Sequence, residues 1–132
     1  MQTNKDFILR SIQRFSELLD ALFKKEGKKE EIIVVINNFM LDEFDISFNV
    51  FLEKSFDEIT AILISKNYNT EEIKELSNIF YIKFKIEEVK IIKKEIAKKA
   101  INLYNYYDVK SKIFSLENHA KTQELLTFIK NN

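Results

Sequence analysis

One glycine and no proline in 132 residues constrain this chain more than any motif in it. Tight β-hairpins and glycine-rich phosphate loops rely on residues that accept positive φ, and glycine is the usual supplier. Long helices need neither residue. The composition therefore predicts an all-α protein. At this length the chain is expected to fold as a single domain of about five to seven helices, burying roughly two-thirds of its unfolded surface. Residues 1–66 supply the N-terminal helices and residues 69–132 a second helical half.

The strongest pattern lies between Asn69 and Asp108. Ile73, Leu76, Ile79, Phe80 and Phe84 recur at the three-and-four spacing of one helix face, over Thr70 to Ile86. Asn69 can cap that helix, and Glu72 three residues on completes a capping box. A second helix is expected from about Lys90 to Tyr107. Ile92, Ile96, Ala100, Leu103, Tyr104 and Tyr107 share its inner face, while Lys90, Lys94, Lys98 and Asn105 fall opposite.

Ile73, Leu76, Ser77 and Phe80 follow the order large, large, small, aromatic. Ala100 with Tyr104, and Ala97 with Ile101, repeat a small-then-large step. This hairpin resembles a degenerate tetratricopeptide unit, in which small residues let two helices approach closely. It departs from that repeat in two ways: the gap from Phe80 to either alanine is long, and the closing proline is missing. An ordinary antiparallel helix pair would show similar core spacing. Together with the opening Lys5-Asp6-Phe7-Ile8-Leu9-Arg10 and the stretch from Tyr107-Asp108 to Phe114-Ser115-Leu116-Glu117, the hairpin resembles small uncharacterised bacterial proteins. Those proteins have a helical N-terminal half and a tetratricopeptide-like C-terminal half. The resemblance implies architecture and no activity or catalytic residues.

Helix one is expected from Thr3 or Asn4 to about Glu26, with Gly27 as its left-handed cap. Ile8, Ile12, Phe15, Leu19, Leu22 and Phe23 form its apolar stripe, which Phe7 and Leu18 widen; Arg10, Gln13, Glu17, Asp20 and Lys24 cover the other side. A stripe this wide serves either a deeply buried helix or one shared with a second subunit. Lys24, Lys25, Lys28 and Lys29 surround the following turn, where cations suit a helix C-terminus.

Ile32 to Ile36 could be a buried strand, yet no partner strand exists, and the spacing Ile32, Ile36, Phe39, Met40 continues as a helix over Glu30 to Phe44. Asp42, Glu43 and Asp45 close that helix. Asp45, Ser47 and Asn49 alternate like calcium ligands, but Val50 stands where the glycine belongs and Phe56 where the bidentate glutamate belongs. Asp45 or Ser47 instead caps a short helix, Phe48 to Lys54. Ser55 and Glu58 form a capping box for a helix running to Lys66. Residues 108–114 are expected as a connector. Ser115 then caps a last helix facing inward with Leu116, Ala120, Leu125, Phe128 and Ile129.

The chain has no cysteine, which excludes disulfides and zinc–thiolate sites. His119, the only histidine, has no partner at metal-ligand spacing, and serine nucleophile elbows need glycines that are not there. No catalytic, metal or cofactor site is expected, and the chain reads as a non-enzyme. Acids and bases balance at 21 each, without the basic excess of a nucleic-acid binder. No apolar run matches a membrane span, and the N-terminus lacks a signal-peptide layout, so a cytoplasmic location is expected.

The function expected is a non-catalytic protein–protein interaction or scaffold module, with an unidentified protein partner or a homodimer through helix one. The alternative is a helical protein binding a small apolar ligand. Phe15, Leu18, Tyr81, Tyr106 and His119 are the candidate surface residues.

Overall fold

The computed structural model describes residues 4–132, with side chains from Ser11 onward. The fold is all-α. Seven helices span the described residues: α1 (Asn4–Phe23), α2 (Lys29–Phe44), α3 (Phe48–Glu53), α4 (Phe56–Ser65), α5 (Thr70–Ile86), α6 (Lys90–Ser111) and α7 (Leu116–Asn131). The chain divides into two compact units, Met1–Tyr68 and Asn69–Asn132. The expectations for Thr3, and for the side chains of Phe7, Ile8 and Arg10, lie outside the described residues.

In the first unit, α2 folds back against α1 through the turn of residues 24–28. Of the α1 stripe, Ile12 and Leu19 are buried together with Ser16, whereas Leu18 stays 48% exposed. The helix ends at Phe23, one turn before Gly27. That glycine takes φ +75° in the turn itself and does not close the helix. A chain of rings then ties the elements together. Phe15 of α1 stacks on Phe39 of α2 with centroids 4.2 Å apart. Phe39 meets Phe44 edge-on at 6.3 Å, and Phe44 contacts both Phe51 of α3 and Tyr68 after α4. Offset and edge-to-face rings each add about 0.5–1.5 kcal/mol beyond their buried area.

The β-branched run of α2 is helical, with Ile32 and Ile36 buried on the same face as Phe39 and Met40. Asp45 ends α2 in the left-handed conformation, and Ser47 caps α3, its hydroxyl accepting the Val50 N–H at 3.3 Å. Ser55 and Glu58 form the expected capping box on α4.

In the second unit, α5 and α6 form an antiparallel hairpin. Asn78 meets Tyr104 and Phe84 meets Lys93, so residue numbers rise on one helix as they fall on the other. The α5 cap is reciprocal: the Glu72 N–H donates to Asn69 Oδ1 (2.9 Å), and the Asn69 N–H donates to Glu72 Oε1 (2.8 Å). Ser77, Ala97 and Ala100 are fully buried, and the Ser77 hydroxyl is satisfied by the Ile73 carbonyl at 2.8 Å. Residue pairs 78–121, 81–124 and 84–128 set α7 alongside α5 in the same direction.

In this unit one boundary and one helix face differ from the sequence expectation. Helix α6 runs on through residues 108–111 and stops at Lys112 with φ +57°, because no glycine or proline interrupts it earlier. Helix α7 buries Asn118 and Leu125, while Leu116 and Ala120 face solvent. In this orientation α7 packs along α6, and Lys121 and Glu124 reach α5 through polar contacts.

The caps give a direct test. Asn69→Ala should lower unfolding free energy by about 1 kcal/mol, the usual worth of an N-cap side chain. Ser55→Ala should do the same. Denaturant titration followed by far-UV circular dichroism reads both, and a change near zero would mean that the caps are replaceable by water.

Candidate interaction surfaces

The candidate residues from the sequence do not converge. Phe15 and Leu18 lie on α1 in the first unit; Tyr81, Tyr106 and His119 lie on three different helices of the second. Phe15 is half-buried in its stack with Phe39, so its ring already has a partner within the chain. Tyr106 is half-buried, with the Lys110 ammonium 5.3 Å from its ring centre. His119 is exposed and sits 5.7 Å from the Phe114 ring.

Tyr81 belongs to a polar seam between α5 and α7. Its phenol donates to Glu124 Oε1 at 2.5 Å, and Lys85 Nζ donates to Glu124 Oε2 at 2.6 Å. Beside them, Asn78 Oδ1 accepts from both the Tyr104 phenol (2.9 Å) and Lys121 Nζ (3.3 Å). Lys121 also lies over the Tyr81 ring, and Lys93 over the rings of Phe84 and Phe128. Cations over aromatic faces gain about 0.5–1 kcal/mol where partly exposed. Burial, reinforced by the Glu124 bond and charge, pushes the Tyr81 phenol well above its ordinary range. Burial also pushes the Glu124 carboxyl up, but hydrogen bonds from Lys85 and Tyr81 and the charges of Lys85 and Lys93 outweigh it, leaving the group below its ordinary value. The seam ties α7 to α5, while α7 packs along α6.

The chain between α6 and α7 is apolar and exposed. Val109 (74% exposed), Ile113 (60%), Phe114 (72%) and Leu116 (76%) put four large apolar side chains in water over the last turn of α6, the loop after it and the first residue of α7. Single exposed hydrophobes are ordinary, whereas a group of this size marks a contact surface in many soluble proteins. The sequence alone reads residues 108–114 as a connector and Leu116 as one of the apolar residues of the last helix. Its signal was present in the Val-Lys-Ser-Lys-Ile-Phe order, where apolar residues follow no inward period.

A second feature lies in the first unit. A groove of about 470 Å³ runs between α1 and α2. Ser11 and Phe15 form one side; Val35, Asn38, Phe39, Asp42 and Glu43 form the other. Glu43 Oε1 accepts the Tyr68 phenol at 3.0 Å. Among the described residues, no cluster of three His, Asp or Glu side chains comes together as a metal site, and no helix is long and apolar enough to cross a membrane.

Comparison with protein-family models, with curated proteins and with solved structures finds no match to this chain.

The seam makes a pH prediction with a definite sign. Glu124 is depressed in the folded state, so its stabilisation is present above its ordinary pKa of 4.5 and is lost as pH falls through and below that value. Tyr81 is raised above its ordinary 10, so its stabilisation is complete below pH 10 and is lost as pH climbs beyond it. Glu124→Gln should flatten the acid limb of melting temperature against pH, and Tyr81→Phe the alkaline limb. Unchanged limbs in both variants would remove the seam from the stability account.

Proposed function

We propose that the chain is a non-catalytic protein-interaction or scaffold module whose second unit presents the α6–α7 connector to a protein partner. The observation that carries this reading is the exposure of Val109, Ile113, Phe114 and Leu116 together. Keeping such side chains in water forgoes about 1.5–3 kcal/mol of burial for each. A partner that covers them recovers that energy, and this favours an apolar, helical or extended protein segment as the ligand. The hairpin with α7 alongside supports the repeat-like reading of this half, since helical-repeat units present contacts from a stacked helix scaffold. Leu18 and Phe23, both exposed on α1, support a second contact in which copies of the chain pair through helix one. The mixed lining of the α1–α2 groove gives less support to a wholly apolar small ligand.

The test is an affinity capture from lysate of the parent cells, comparing the full chain with Phe114→Ser and with the pair Val109→Ser/Leu116→Ser. A protein held near stoichiometry by the parent chain should be lost at least tenfold by both variants, with melting temperatures within about 2 °C of the parent, as expected for exposed positions. A partner retained equally by the variants would overturn the connector reading. Tyr106→Ala separates the neighbouring ring: as a contact residue it weakens capture without changing the melting temperature, and as a packing residue it lowers the melting temperature.

A further inference from the structure

The C-terminal turn of α2 is electrostatically the wrong way round. Helix C-termini carry the negative end of the peptide dipoles and favour cations by about 0.3–1 kcal/mol per charge. Here Asp42 and Glu43 fall in that last turn, Asp45 caps it, and no basic residue accompanies them. Residues 1–68 carry 12 acids against 9 bases, so the surrounding unit adds to the same sign. The carboxylates thus oppose the helix that bears them.

The same two residues border the groove. Asp42 and Asn38 lie one helical turn apart on α2, and Phe39 lies between them in sequence and stacks on Phe15 across the groove. Asp42 is exposed. Glu43 engages Tyr68 through Oε1, leaving Oε2 for another donor. One wall therefore gathers oxygen acceptors at the negative end of a helix, and the base carries aromatic rings. The volume exceeds what one long side chain needs.

We propose that this groove binds an arginine side chain of a partner polypeptide. A guanidinium is flat, always charged and carries five N–H donors in a fixed fork. It can donate to Asp42, to Glu43 Oε2 and to the Asn38 amide oxygen while its plane lies against the Phe15 ring. A lysine ammonium can satisfy the charge but has neither the flat face nor the fork. A free metal cation finds too few ligands and an aromatic base. The last turn of α2 has no basic residue of its own, and the Lys66 ammonium lies over the Phe44 ring, so the bound guanidinium adds a cation on the groove side. The groove belongs to the first unit and uses no residue of the connector, so this proposal goes beyond the connector reading and stands or falls separately from it.

The experiment uses the full chain with carbon-13 in its phenylalanine rings. It is titrated with the blocked peptide acetyl-Ala-Ala-Arg-Ala-Ala-amide, with its citrulline counterpart, which keeps the shape and loses the charge, and with the lysine peptide. The arginine peptide should shift the Phe15 and Phe39 ring signals saturably and more weakly at high salt. The lysine peptide should bind several-fold less tightly and the citrulline peptide at least tenfold less. Asp42→Asn/Glu43→Gln should weaken the arginine peptide at least tenfold while keeping or raising the melting temperature, since it removes unfavourable charge. Phe114→Ser should leave this titration unchanged. Equal binding of citrulline, saturable binding that leaves Phe15 and Phe39 unmoved, no saturable binding, or full binding by a folded double variant would each overturn the proposal.

Discussion

The Tyr81–Glu124 hydrogen bond, with Lys85 on the second carboxylate oxygen, is the polar constraint that ties α7 to α5 in the second unit. Helix α7 has only a modest apolar face, with Leu125 fully buried and Phe128 half-buried against Phe84. Apolar contact of that kind tolerates rotation. A short, charge-assisted bond does not, because its energy falls steeply with distance and angle. Glu124 bonded to α5 and the packing of α7 along α6 together hold the helix with Asn118 and Leu125 inward and Leu116 in water.

The first unit is organised differently. Its ring chain, from Phe15 through Phe39 and Phe44 to Phe51 and Tyr68, links α1, α2, α3 and the end of α4 with few long-range polar bonds. Two of those bonds, from the Tyr68 phenol to Glu43 and from the Phe48 N–H to Asn37 Oδ1, hold the end of α2. Polar anchoring there leaves the acidic last turn in place despite its conflict with the helix dipole. Local conflicts of this kind are expected where a surface serves something besides folding.

Much of the architecture was legible in the residues. The Asn69–Glu72 and Ser55–Glu58 boxes and the Ser47 cap named three helix starts, because capping depends on side chains close in sequence. The hairpin periodicity placed α5 and most of α6. Helix ends were harder: α1 stops at Phe23 before its glycine, and α6 passes Tyr107 and ends on a lysine in the left-handed region. Neither stop has a residue type that announces it. The inward face of α7 was misread at Leu116 and Ala120, since a buried Asn118 and the Tyr81–Glu124 bond cannot be inferred from apolar spacing. Of the candidate surface residues, Leu18 and His119 are exposed, while the Tyr81 phenol is bonded to Glu124. The groove was invisible for a further reason. Its walls come from two helices, and Asp42 and Glu43 read in sequence only as an acidic helix end.

The most direct test of the interaction reading is site-specific photo-crosslinking in the parent cells, with benzoylphenylalanine in place of Phe114 and, as a control, in place of the exposed Gln123 of α7. The account predicts one predominant protein adduct from position 114 and none of that mass from position 123. The same adducts from both positions, or none from position 114 while the chain is folded and abundant, would contradict it.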